Sequence, residues 1–216
     1  MQILPNSLRI GVVRGGHSSG YDISLQIGEN VLEHLRETHR PIDILISQDG
    51  TWHMQGMEKT PEKILKNVDV VFNTLQGGYD GESLHKILDL HGVPYTGSDR
   101  YSSAMSMNKW LVKEQVKALG IKTPVYGVVR RSDDLGLKAQ EIFNSIPHPL
   151  RVSAANGPSS AGVFEINSFK TLLGALENVL ERYDMALVEE SIAGKIASCL
   201  VTENFRGEKI YAFPSG

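Results

Sequence analysis

The chain has one cysteine, Cys199, so no disulfide can close within it, and a small secreted fold stapled by cystines is excluded. No apolar run reaches the ~18 residues of a membrane-spanning helix, and no basic-then-apolar leader opens the sequence. A surplus of charge of either sign is also lacking. The 22 Lys and Arg set against 25 Asp and Glu leave a net −3, with no basic surplus to draw nucleic acid or an anionic membrane. Internal repeats and low-complexity tracts are missing. His17, His34, His39, His53, His85 and His91 show no metal-ligand spacing and read as surface or packing residues. A cytoplasmic α/β protein is the expectation, and 216 residues suffice for one large domain or two small ones.

Apolar patterning supplies the organisation. Residues 8–13 (LRIGVV) form a continuous apolar run ended by glycines, as a buried parallel strand does. Ile23, Ile27, Val31, Leu32 and Leu35 then recur at helical spacing. Strands follow at 42–46 and 69–75, with a turn by composition at 48–51 and a helix marked by Leu84, Ile87 and Leu88. This alternation predicts a βαβ sheet over residues 1–105. Residues 109–119 read as a helix stopped by Gly120 and Pro124. Beyond it come strands at 125–129 and 150–153, a helix at 133–144, and a strong helical stripe of Leu172, Leu173, Leu176, Val179 and Leu180. Strands at 185–189 and 197–203 and a hairpin turn at 204–207 complete an α+β region over 106–216. The boundary falls near 101–107.

Several short segments carry chemistry. Gly15 and Gly16 lie in RGGHSSGYDISLQIG, between the first strand and first helix. Glycines there let backbone N–H groups approach an anion or carboxylate, although such turns also serve purely structural ends. Residues 75–78 read LQGG, residues 95–98 YTGS, and residues 107–109 MNK. A lysine at a helix start is unfavourable against the macrodipole, which favours a ligand-facing role for Lys109 over a solvated one. Lys113 and Lys117 on the same helix read as solvated. Residues 149–163 (PLRVSAANGPSSAGV) hold a serine–glycine loop, and residues 187–194 (LVEESIAG) an acidic strand end.

In this order the segments resemble the ATP-grasp ligases and, within them, the D-alanine–D-alanine ligases, over residues 8–215. The resemblance implies a Rossmann-like pre-ATP-grasp domain with a parallel sheet, followed by the first (α+β) part of an ATP-grasp domain. It implies ATP-dependent joining of two D-alanines through an acyl phosphate for peptidoglycan, with ATP and Mg²⁺ as cofactors. Lys109 would reach phosphate. Ser159, Ser160 and Gly162 would form the phosphate lid, and Glu189, Glu190 and Ile192 the adenine hinge on an edge strand. Gly15, Gly16 and Ser24 would face the amino acid.

The same resemblance exposes departures. Gly20 stands where the family has a substrate-binding glutamate, with Ser19 and Asp22 as nearby stand-ins. Gln76 replaces a histidine, and an amide donates a hydrogen bond but carries no charge. Ser153 replaces a phosphate-contacting lysine, removing a contact of ~1.5–3 kcal/mol. Pro158 replaces a loop glycine and lacks an N–H. Lys195 and Ile196 replace a pair that grips ribose. The metal carboxylates lie in a C-terminal lobe expected to be missing, so no metal ligand is assigned, ATP affinity is expected to be weak or lost, and an exposed apolar face is expected to favour self-association or a complementing lobe. Three readings compete: a ligase relative unable to complete catalysis alone, a nucleotide- or amino-acid-binding regulatory module, and an active enzyme of altered specificity.

Overall fold

Strand β1 (Arg9–Gly15) is apolar on both faces and lies between two other strands of its sheet, with Ile10, Val12 and Val13 all buried. The computed structural model describes residues 7–76, 78–156 and 162–216. In it β1 pairs in parallel with β2 (Arg40–Ile46) and with β5 (Val70–Asn73). Two strands not anticipated from sequence, β3 (Trp52–Met54) and β4 (Met57–Glu58), extend the β2 edge antiparallel. The sheet, ordered β4-β3-β2-β1-β5, is therefore mixed rather than wholly parallel. The overlooked signal is short: Trp52 and Met54 are buried around a less buried His53, and Gln55-Gly56 turns the chain with φ of 52° and 80°.

Helix α1 (Tyr21–Leu35) packs on this sheet by a face that keeps Leu32 of the expected stripe, with Val31 and Leu35 half-buried, but not Ile23 or Ile27. Ile23 and Ile27 are exposed, whereas Ser24, Gly28 and Leu32 are buried. The helix lies so near β1 that a Cβ on Gly28 would meet Arg14 Cβ at 2.7 Å. Small residues, not large apolar ones, thus mark its contact face. Helix α2 (Pro61–Leu65) buries Ile64 and Leu65, and α3 (Gly78–Leu90) buries Leu84 and Leu88. The stretch read as a boundary holds a helix, α4 (Arg100–Met107), started by Asp99 accepting from the Ser102 N–H at 2.8 Å.

Helix α5 (Lys109–Ala118) begins where Asn108 caps Leu111, and Gly120 ends the turn beyond it with φ 74°. A second, antiparallel sheet follows: β6 (Tyr126–Arg130), β7 (Leu150–Ala154), β8 (Val163–Ile166) and β9 (Met185–Glu190), ordered β6-β9-β7-β8. One face is covered by α6 (Leu135–Ser145), capped by Asp134, and by α7 (Phe169–Arg182), which opens on a Ser168–Thr171 capping box. Leu172, Leu176, Val179 and Leu180 are buried there with Leu150, Val152, Ile166 and Val188. Strand β10 (Val201–Phe205) begins later than the sequence suggested and pairs only with β11 (Glu208–Ala212), through a turn at Arg206-Gly207. Ile196, Leu200, Val201 and Ile210 are exposed around this hairpin.

Leu176 is fully buried in the second core. Leu176→Ala is expected to lower unfolding free energy by about 2–5 kcal/mol in a urea titration. A loss below ~1 kcal/mol would contradict this packing.

Candidate functional site

The glycine turn after β1 is closed on itself. The Gly15 N–H donates to Ser24 Oγ at 2.9 Å, and the Gly16 N–H donates to the Ile46 carbonyl at 2.8 Å. Both donors expected to face a ligand are thus engaged inside the fold. Gly15 has φ 94°, and a Cβ there would meet the Ile46 carbonyl oxygen at 2.2 Å, so the turn requires glycine. Ser24 is fully buried and touches Thr74, whose hydroxyl donates to the Val13 carbonyl.

Gly20 and Gln76, two positions that depart from the family pattern separately in sequence, meet in space. A Cβ on Gly20 would lie 2.4 Å from Gln76 Cβ, so any side chain at 20 requires the backbone to shift. The Ser18 hydroxyl donates to the Gln76 carbonyl and also accepts from the Gly20 N–H. The Gln76 side-chain amide donates to the Thr74 carbonyl at 3.1 Å, turned back onto its own strand.

The second cluster lies where α5 crosses the face of the second sheet opposite α6 and α7. The Lys109 N–H donates to the Ala155 carbonyl at 2.9 Å, and Asn108 bridges to Asn156. This docks the start of α5 on the end of β7 and brings Lys109 Nζ within 3.0 Å of the Ala154 carbonyl. Burial pushes the Lys109 ammonium below the ordinary lysine value. Arg151 adds like-charge repulsion and Glu189 opposes both. One turn on, Lys113 Nζ pairs with Glu189 Oε1 at 2.7 Å, with side chains only 13% and 10% exposed, and also donates to Thr123 Oγ1. Lys113 is therefore a half-buried ion-pair partner, correcting its reading as a solvated lysine. Its spacing of four from Lys109 puts both on one helix face, a signal available in the sequence.

Strand β9 is interior, between β6 and β7, not the edge strand expected of the hinge. The Glu190 N–H donates to the Val125 carbonyl and its carboxylate accepts from the Val125 N–H. The Ser191 N–H is held by the Pro149 carbonyl, while Ile192 is exposed. Ser153 is buried on the α5 side of β7, and Arg151 precedes it by two on the same face, opposite Glu189 in register. Gly162 leads into β8 with φ 94°. Ser159 and Ser160 lie outside the described residues. Lys109, Lys113, Glu189, Ser106, Val112, Val116 and Thr123 line an open cleft of about 310 Å³. Nearby, Tyr126 donates to Glu114 at 2.6 Å, and burial together with that carboxylate pushes its phenol up to about 12.

Among the described residues no three His, Cys, Asp or Glu side chains converge. Among the same residues no helix is long and apolar enough to cross a membrane.

Comparison with known proteins bears on the family and the fold. The family described as D-ala D-ala ligase C-terminus matches residues 115–213. A D-alanine–D-alanine ligase of Burkholderia thailandensis is 32% identical over 200 residues, covering 90% of this chain and 61% of that protein. The chain thus spans about 61% of the length of the curated relatives it matches. A D-Ala:D-Ser ligase of Enterococcus faecalis superposes with TM-score 0.81 at 25% identity, over 97% of this chain and 69% of that one. A Bacillus anthracis D-alanine–D-alanine ligase complexed with ATP gives TM-score 0.72 at 26% identity, over 90% and 60%.

The Lys113–Glu189 pair offers a test of the site's construction. Lys113→Met or Glu189→Leu alone is expected to cost about 3–5 kcal/mol, by stranding a buried charge. The double variant should regain most of that loss in a denaturation cycle; additive losses would mean the two are not paired.

Proposed function

The chain belongs to the D-alanine–D-alanine ligase family, and from there we propose that residues 106–216 hold the triphosphate end of ATP beside Lys109 while residues 1–105 form the amino-acid side. The carrying observation is Lys109, drawn over the sheet by its Ala154 contact and lining a cavity whose other lysine is already neutralised by Glu189. Its ammonium is left with a carbonyl partner, a weak match that an anionic ligand would improve. The base would lie beyond the end of β9, from Ile192 onward, since the N–H groups of Glu190 and Ser191 are engaged. Ser24 would then act by holding the first turn, not by touching substrate.

The family reaction activates a D-alanine carboxylate as an acyl phosphate and joins it to a second D-alanine, in the cytoplasm. In this chain we infer binding without efficient turnover. Ser153 supplies no cation, Gln76 is turned inward, and Gly20 has no room for the side chain that the resemblance expects. Phosphoryl transfer depends on charge placed where it develops. A regulatory, non-catalytic binding role follows as the second reading, favoured by the same three positions.

Calorimetry should show saturable ATP binding, with phosphate release in the presence of D-alanine and Mg²⁺ at the assay floor. Robust dipeptide formation would overturn the reading, and a flat titration would remove ATP binding. The depressed Lys109 sharpens the test. A group below its ordinary value binds fewer protons in the free folded protein, and a nearby phosphate would raise it. ATP binding is therefore expected to take up protons at alkaline pH just below the ordinary lysine value of 10.5, read as a dependence of binding enthalpy on buffer ionisation enthalpy.

The exposed Ile196, Leu200, Val201 and Ile210 favour a covering partner, either a second copy or a complementing lobe. Light scattering over a dilution series should show concentration-dependent association; a monomer throughout would exclude the self-associated form.

A further inference from the structure

We propose that Arg151 is the phosphate-binding cation of this chain, occupying by two residues' displacement along β7 the part that Ser153 cannot play. The inference rests on the nucleotide reading above and adds to it a residue that family resemblance does not assign. Strand geometry sends alternate side chains to one face, so Arg151 and Ser153 share the side of β7 over which α5 lies. The opposite face of the strand, with Leu150, Val152 and Ala154, is buried in the core beneath α6 and α7.

Arg151 is incompletely satisfied. Its Nε is shielded from solvent and has no hydrogen-bond partner among the described residues. A guanidinium N–H out of water without an acceptor is costly, and such groups in native folds call for a missing partner. The neighbouring charges say what kind. Glu189 stands opposite Arg151 in register, but its Oε1 is bound to Lys113 at 2.7 Å. Glu165, the register partner on β8, lies on an exposed strand position. Arg151 is near enough to Lys109 for the two cations to repel, and the Lys109 Nζ hydrogen bond among the described residues goes to the Ala154 carbonyl. Lys109, Lys113 and Arg151 thus stand beside two carboxylates, Glu189 taken up by Lys113 and Glu165 on an exposed position, which leaves a local surplus of positive charge at the cleft under α5.

That surplus suits a polyanion rather than a single carboxylate. A guanidinium presents parallel N–H donors that match two phosphate oxygens, and Lys109 adds a point charge beside it. The family's strategy of a lysine on this strand is replaced by a longer, forked cation one pleat earlier. In this arrangement the ligand's phosphates, not its base, depend on Arg151.

The test separates phosphate from base by measuring ATP and adenosine affinities for the same chain by calorimetry. Arg151→Gln is expected to weaken ATP by on the order of tenfold or more while leaving adenosine unchanged. Arg151→Lys should recover part of the ATP loss, and Arg151→Gln with Ser153→Lys most of it. Thermal unfolding checks that each variant is folded; if Arg151→Gln is not, Arg151→Lys reads the same split between the two ligands. Equal ATP affinity in parent and Arg151 variants would overturn the proposal, as would parallel loss of ATP and adenosine, which marks a structural role. A parent chain that binds adenosine as tightly as ATP overturns this inference and leaves nucleoside binding standing. A parent that binds neither removes the nucleotide reading and this proposal with it.

Discussion

The backbone contact between the start of α5 and the end of β7 organises the second half of the molecule. When the Lys109 N–H meets the Ala155 carbonyl at 2.9 Å, a polar helix with no buried residue of its own is held against a sheet face. Its side chains then interact with the sheet in sequence along the helix. Lys109 reaches the Ala154 carbonyl, Lys113 reaches Glu189, and Glu114 reaches Tyr126. An apolar helix would dock by area alone and tolerate sliding. A helix docked by charge and hydrogen bonds has one register, because a shift would strand buried ions.

A second constraint operates in the first sheet, where α1 lies close to β1. Gly28 against Arg14 and Gly15 against the Ile46 carbonyl permit that approach, and Ser24 and Thr74 satisfy the polar groups it buries. The same closeness extends to Gly20 and Gln76. Their departures from the family pattern form one local rearrangement: the space a side chain at 20 would enter is taken by Gln76. Restoring one residue alone would not restore the family's geometry.

The two halves differ in how they hold charge. The first turn after β1 satisfies its glycine N–H donors internally. The cleft under α5 keeps cations in excess of acceptors, at some cost to Lys109, whose ammonium is disfavoured by burial and by Arg151. Unmet electrostatic demand in a cleft is common to ligand sites and to structural ion networks, and this cleft lies in the half that the ATP-grasp resemblance assigns to nucleotide.

Composition, apolar period and motif order determined the α/β class, the sequence of major strands and helices, and the family, since these are local properties of a chain that each element expresses alone. The stripe on α7 is legible because a buried helix face needs large apolar residues every three to four positions. The contact face of α1 was not, because close packing selects Ser24 and Gly28 and leaves Ile23 and Ile27 outside. Nor was the interior place of β9, which depends on strands far apart in sequence choosing their neighbours. Only tertiary structure decided which charges would meet: Lys113 with Glu189, and Arg151 with no partner for its Nε among the described residues. Pairing of ions across 76 residues or across a sheet follows from where the backbone puts them, and no local pattern encodes it.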